Sequence, residues 1–89
     1  MSYFVYILQC ADDTLYTGIA TDIDRRLDEH NSSEKGAKYT RSRRPVTLVY
    51  SEPFPDRSSA SRREYEIKKK MNRAQKLQLI NDDQFERVD

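Results

Sequence analysis

Residues 3–20, YFVYILQCADDTLYTGIA, decide the fold. Tyr3 to Gln9 is dense in β-branched and aromatic residues, which suit a pleated strand. Ala11-Asp12-Asp13 is a turn signal, and Leu15 to Ala20 reads as the returning strand of an antiparallel hairpin. With the turn centred near Asp12, Tyr6 falls opposite Gly18 and Leu8 opposite Tyr16. Side chains alternate between faces along a strand, so Tyr6 and Tyr16 share one face. Gly18 has no side chain and leaves space in front of Tyr6. A slip of one residue would separate the tyrosines onto opposite faces.

Beyond the hairpin, Thr21 or Asp22 can cap a helix running to about Asn31, with Asp22 and Asp24 in the first turn, where the helix dipole favours acids. Ser32 to Gly36 ends it. A short helical or irregular stretch follows through Lys38 and Tyr39, then a basic loop from Arg41 to Pro45. Val46 to Tyr50 (VTLVY) reads as a third strand, and Glu52-Pro53-Phe54-Pro55 breaks the chain. A second long helix is expected over Ser59 to Met71, and a last one over Arg73 to Ile80, which carries Leu77, Leu79 and Ile80. The order ββαβαα predicts an α+β domain with a small three-stranded, largely antiparallel sheet flanked by helices. Residues 1–81 form the expected domain, and 82–89 an acidic, polar C-terminal tail that frays.

Eighty-nine residues make one small domain, too short for two. The single cysteine, Cys10, forbids an intrachain disulfide; this suits a reducing, cytoplasmic setting and an inert packed thiol. Tyr3 to Leu8 is too short for a signal or membrane segment, so the expectation is a soluble protein that is not exported and engages no membrane. Net charge is only +1, but its distribution is uneven. Five basic residues and no acid lie between Lys35 and Arg44, and seven basic residues with two acids lie between Arg62 and Lys76. One basic side can hold a polyanion despite a near-neutral total; two solvated helix faces give the same pattern. With two glycines in the chain no phosphate-binding glycine loop exists, and there are too few Cys and His for a zinc site.

On the first helix, positions 23, 26, 27 and 30 fall on one face. Ile23 and Leu27 are apolar; Arg26 and the only histidine, His30, border the same stripe, while Arg25, Asp28 and Glu29 face away. Arg26 could simply lay its stem along the core edge and His30 cap the helix end. On the second long helix, Ala60, Glu64, Ile67 and Met71 share a stripe, so Glu64 faces inward and Glu66 faces solvent. An inward carboxylate needs a partner: a nearby lysine or arginine, or a metal. Tyr6, Tyr16, Arg26, His30 and Glu64 thus all lie on faces turned toward the sheet. Phosphodiester hydrolysis needs a group that activates water, a cation for the developing charge, and a hard metal. One glutamate without a second acid suits a magnesium ion bound mostly by water.

These residues resemble a family. Val5-Tyr6-Ile7 and Tyr16-Thr17-Gly18, with the tyrosines ten residues apart, are similar to the two halves of the GIY-YIG motif. Asp22-Ile23-Asp24-Arg25-Arg26-Leu27-Asp28-Glu29-His30-Asn31 resembles the family's helix, in which histidine follows arginine by four; Arg26 is the match and Arg25 its neighbour. Glu64, in Arg62-Arg63-Glu64-Tyr65-Glu66-Ile67-Lys68, resembles the metal-binding glutamate. Lys38-Tyr39-Thr40-Arg41, Arg44-Pro45-Val46 and Asn72-Arg73-Ala74-Gln75-Lys76 look like the small stand-alone bacterial members. The resemblance runs from about Tyr3 to Ile80. Phe4 precedes Val5 where the family name has glycine, and the second motif reads Tyr-Thr-Gly, but both tyrosines and Gly18 remain.

The resemblance implies a metal-dependent endonuclease hydrolysing DNA phosphodiester bonds, with a place in DNA repair or processing. In that scheme Tyr6 helps deprotonate water, its pKa lowered from about 10 by Arg26 or the metal. Tyr16 orients the water or the phosphate, and Arg26 holds a nonbridging oxygen. His30 hydrogen-bonds a tyrosine or relays a proton. Glu64 binds Mg2+ or Mn2+. Lys38, Arg41, Arg43, Arg44, Lys68, Lys69 and Arg73 would hold the nucleic-acid backbone by charge. The DNA could be single-stranded, branched or duplex. Family enzymes of known role often carry extra domains that choose the target; with none expected here, specificity stays open, a protein partner being one way to supply it. Two other readings stay open: a nucleic-acid-binding module without catalysis, and a protein-interaction domain in which both stripes are only core.

Overall fold

The computed structural model describes residues 2–32 and 34–86. Strands β1 (Tyr3–Gln9) and β2 (Leu15–Ala20) form the expected hairpin, and β3 (Thr47–Phe54) joins the other side of β1. The sheet order is β2-β1-β3, and both pairings are antiparallel. Tyr6 pairs with Gly18 and Leu8 with Tyr16, the register that the turn chemistry implies.

The third strand is longer than its sequence suggests. It runs through Glu52 and Pro53, with Pro53 opposite Phe4, so the proline-rich stretch does not break the chain where expected. β3 is an edge strand, and an edge tolerates a residue that lacks an N–H. An irregularity between Ile7 and Leu8 shifts the register on β3 and preserves the alternation of faces on either side of it.

Helix α1 (Ile23–Ser32) begins at Asp22, whose carboxylate accepts the Arg25 N–H at 3.1 Å. The short α2 covers Lys38–Arg41. Helix α3 (Arg57–Tyr65) is capped by Asp56, which accepts the Ser59 N–H at 2.7 Å. The single long helix expected to Met71 is not continuous. It gives way to a π-helical turn at Glu66–Lys70, and Met71 is extended. The break has a local cause: Asn72 and Gln75 exchange side-chain-to-backbone bonds, each 2.9 Å, a reciprocal cap that starts a new helix. That helix, α4 (Arg73–Glu86), continues past Ile80. Of the tail expected to fray, residues 87–89 lie outside the described residues.

The sheet separates two apolar layers. Val5 and Ile7 pack with Tyr50, Ala60, Ile67 and Ile80 beneath α3 and α4. Tyr6 and Leu8 pack with Cys10 and Val46, backed by Tyr16, Ile23 and Leu27, beneath α1. Cys10 is buried and carries a free thiol. Among the described residues no helix is long and apolar enough to cross a membrane.

Candidate active site

The hairpin register puts Tyr6 and Tyr16 side by side on the α1 face, their ring centres 6.4 Å apart. Gly18 is there for space, since no glycine in the described chain has positive φ. A Cβ at position 18 would stand 2.5 Å from the Tyr6 hydroxyl oxygen and 2.7 Å from Cζ. The buried Tyr6 ring therefore lies across β2, an edge strand, and brings its hydroxyl to the margin of the sheet.

From the facing helix, His30 meets that hydroxyl: Tyr6 Oη lies 2.9 Å from His30 Nε2. His30 is fully buried. Its other nitrogen, Nδ1, lies 2.8 Å from Thr40 Oγ1, and the Thr40 hydroxyl reaches the Ala37 carbonyl at 2.9 Å. The chain of bonds runs in either direction with the histidine tautomer. With the proton on Nδ1, Nδ1–H donates to Thr40, Thr40 donates to the Ala37 carbonyl, and Nε2 accepts from Tyr6. With the proton on Nε2, Nδ1 accepts from Thr40 and from the Ala37 N–H at 3.4 Å, and Nε2–H donates to Tyr6. Gly36 makes the arrangement possible, because a Cβ there would stand 2.7 Å from the Glu29 carbonyl oxygen and 2.9 Å from His30 Cα. The returning chain can then lie directly against the end of α1. Asn31 fixes the same end to β3 by pairing with both backbone groups of Val46, at 3.0 and 2.7 Å.

Burial pushes the His30 pKa down to about 4, and the neighbouring Arg26 charge adds to the effect. The imidazole is therefore neutral near pH 7. Burial also pushes Tyr6 up to about 12, against the opposing pull of Arg26. Arg26 alone therefore does not lower the phenol, as the sequence expectation allowed: desolvation of the phenolate outweighs the guanidinium beside it.

Arg26 donates through one nitrogen to Glu29 at 2.9 Å and to the Lys35 carbonyl at 2.8 Å. Burial works against its charge, but Glu29 and Tyr6 outweigh that and hold its pKa above the usual arginine value. Glu29 does not face away as the helix stripe suggests. It stands between Arg26 and Arg25, whose Nε lies 3.5 Å from it, and the Arg26 bond keeps its pKa below the usual carboxylate range.

Glu64 comes from the opposite layer. α3 packs against the other side of the sheet, yet Lys68 Nζ, in the turn that follows it, lies 5.5 Å from the centre of the Tyr16 ring. This end of α3 thus reaches round the β2 edge, and the negative charge of Glu64 is felt at Tyr6. Glu64 is half-buried and pairs with Lys68 at 3.6 Å, the basic partner that its inward position calls for. Among the described residues no group of three or more His, Cys, Asp and Glu could enclose a metal ion. A single, partly exposed carboxylate fits a hard divalent ion that keeps most of its water ligands.

The expected backbone-binding residues fall into three groups. Lys68 and Lys69, with Lys76, line a cavity of about 320 Å³ beside Tyr16, Thr17 and Tyr39. Lys38, Arg41 and Arg73 are exposed elsewhere on the surface. Arg43 and Arg44 hold the fold together. Arg43 bonds Asp12 at 3.1 Å and the Tyr39 carbonyl at 2.8 Å and lies 4.0 Å over the Tyr39 ring; Arg44 donates to the His30 carbonyl at 2.6 Å. Sequence reasoning missed Glu29, whose i,i+3 spacing from Arg26 was the available signal, and Thr40, for which the sequence holds none.

Comparison with known proteins bears on the family and the fold. A sequence model described as the GIY-YIG catalytic domain matches residues 2–78. The chain is similar to UPF0213 protein DP2720 of Desulfotalea psychrophila, 72% identical over 67 residues that cover 75% of this chain and 61% of that protein, less than two thirds of its length. It is also similar to a UPF0213 protein of Syntrophus aciditrophicus, 58% identical over 86% of this chain and 87% of the relative. Two solution NMR structures share the fold. UPF0213 protein BH0048 from Bacillus halodurans has a TM-score of 0.58 and 49% identity, covering 91% of this chain and 84% of that one. Protein EF2693 from E. faecalis has a TM-score of 0.65 and 42% identity, covering 96% and 88%.

Proposed function

The chain belongs to the GIY-YIG catalytic-domain family, and from that premise we propose that it is a divalent-metal-dependent endonuclease that hydrolyses DNA phosphodiester bonds in DNA repair or processing. The observation that carries the proposal is the buried relay from Tyr6 through His30 to Thr40, ending at the edge strand beside Tyr16 and within reach of Arg26 and Glu64.

The relay lets Tyr6 act without becoming a free phenolate. The hydroxyl takes a proton from the attacking water while passing its own to His30 Nε2, so no isolated negative charge forms in the buried site. By itself the lowered histidine pKa opposes that transfer. An anionic phosphate beside the imidazole favours its protonated form and offsets the opposition. Tyr16 borders the same space and orients water or phosphate. Arg26, held by Glu29, stabilises charge on a nonbridging oxygen as the fifth bond forms. Glu64 would hold Mg2+ or Mn2+, which would supply positive charge to offset the negative charge that builds on the leaving oxygen.

The test is cleavage of end-labelled DNA by wild type and Tyr6→Phe, with retention of uncut DNA measured in parallel. The proposal requires metal-dependent products from wild type and loss of at least about a hundredfold in Tyr6→Phe, with binding kept. Equal cutting by both proteins would remove Tyr6 from the mechanism.

A further inference from the structure

Lys68 makes two contacts that a surface lysine has no need to make. Its ammonium lies 3.6 Å from a Glu64 carboxylate oxygen and 5.5 Å from the centre of the Tyr16 ring. It also lines the cavity of about 320 Å³ shared by Tyr16, Tyr39, Lys69 and Lys76. The residue sits within the π-helical turn Glu66–Lys70, an insertion of the kind often found at functional sites. Its side chain is 40% exposed, so its long stem has room to turn.

From this placement we propose that Lys68 is an exchangeable counter-ion: it neutralises Glu64 while no metal is bound, and is released into the neighbouring cavity to take a substrate phosphate when a divalent ion claims the carboxylate. The inference rests on the reading of Glu64 as the metal-holding group. One carboxylate oxygen cannot keep an ammonium and a divalent ion together without strong repulsion between the two cations. The freed ammonium stays on the same short segment, beside Tyr16 and the cavity that Lys69 and Lys76 also border. A phosphate there meets lysine charges at the wall of the candidate active site. Metal and nucleic acid then favour each other's binding through one side chain, since the metal frees Lys68 for the phosphate and a phosphate that holds Lys68 frees Glu64 for the metal.

The experiment is a Mn2+ titration followed by the EPR signal of the free ion, with wild type, Lys68→Gln, Lys68→Arg and Glu64→Gln, without nucleic acid. A partly exposed ion pair holds by a factor of roughly two to five. Lys68→Gln should therefore bind Mn2+ about two- to fivefold more tightly than wild type, Lys68→Arg should return to the wild-type value, and Glu64→Gln should lose the site. Wild-type or weaker affinity in Lys68→Gln, with binding still lost in Glu64→Gln, overturns the exchange and leaves the metal role of Glu64 standing. Undiminished affinity in Glu64→Gln removes the metal reading itself, and the exchange with it.

Discussion

Replacing Gly18 with alanine should damage the protein in a way that reports directly on Tyr6. The added methyl would stand 2.5 Å from the tyrosine oxygen and 2.7 Å from Cζ, where ordinary contact begins nearly 1 Å farther out. Tyr6 is 2% exposed and cannot swing into solvent without leaving its 2.9 Å bond to His30. Loss of a buried hydrogen bond is worth about 1–3 kcal/mol, and overpacking about 1–3 kcal/mol. Alanine returns roughly 0.4–1 kcal/mol by restricting the unfolded chain. The net destabilisation is about 1–5 kcal/mol, a fall in Tm of roughly 5–25 °C for a domain of this size. A displacement of about 1 Å in a reacting group lowers turnover around a hundredfold. Thermal melts and DNA cleavage measure the two effects. The Tyr6→Leu background provides the control, because with ring and hydroxyl gone the same Gly18→Ala change should be far milder. A single variant that melts within about 2 °C of wild type and cuts at the wild-type rate would refute the close approach and the role built on it.

Arg26→Ala should lower cleavage about a hundred- to a thousandfold, the usual loss for a donor aimed at developing charge, while the melt changes little; unchanged cleavage would leave phosphate charge without its proposed partner. Stability should fall between pH 7.5 and pH 5 because of His30. The folded value of about 4 lies below the ordinary 6.5, so the unfolded chain takes up the proton first as pH drops. Its contribution is complete above about pH 6.5 and is lost toward pH 4, about 2 kcal/mol of it by pH 5. Urea unfolding of wild type and His30→Gln checks the sign, and the variant should lack that slope. Lys69→Ala with Lys76→Ala should weaken DNA retention at low salt and reduce the slope of log affinity against log salt by about two; an unaltered slope would take the cavity out of the binding path.

The parts of the fold that obey local rules were legible. Strand alternation and one turn signal place Tyr6 opposite Gly18 and beside Tyr16, because a one-residue slip would have turned every apolar side chain of β1. The 3.6-residue period of α1 puts Arg26 and His30 on the face that meets them. The misreadings share a cause in tertiary context. Pro53 marks a break only if its strand is internal, and nothing local reveals that β3 is an edge. The π-helical turn and the restart at Asn72 interrupt a stripe that looks continuous from Ala60 to Met71. The sequence expects Glu64 on a face turned toward the sheet, and only the folded chain adds that its helix lies on the other side of the sheet from the tyrosines and that it pairs with Lys68. In the same way, only the folded chain shows that Arg43 and Arg44, expected to hold the nucleic-acid backbone, also bond Asp12 and the His30 carbonyl. Likewise, no sequence signal measures desolvation, which moves Tyr6 up instead of down.

The most direct measurement is cleavage of labelled single-stranded, duplex and branched DNA, in magnesium or manganese and in chelator, by wild type and Glu64→Ala. The proposed function predicts products from at least one of these substrates with wild type and metal, none in chelator, and none from Glu64→Ala. Cutting that persists in chelator or in Glu64→Ala would contradict it, as would the absence of products from every substrate while salt-sensitive binding is retained.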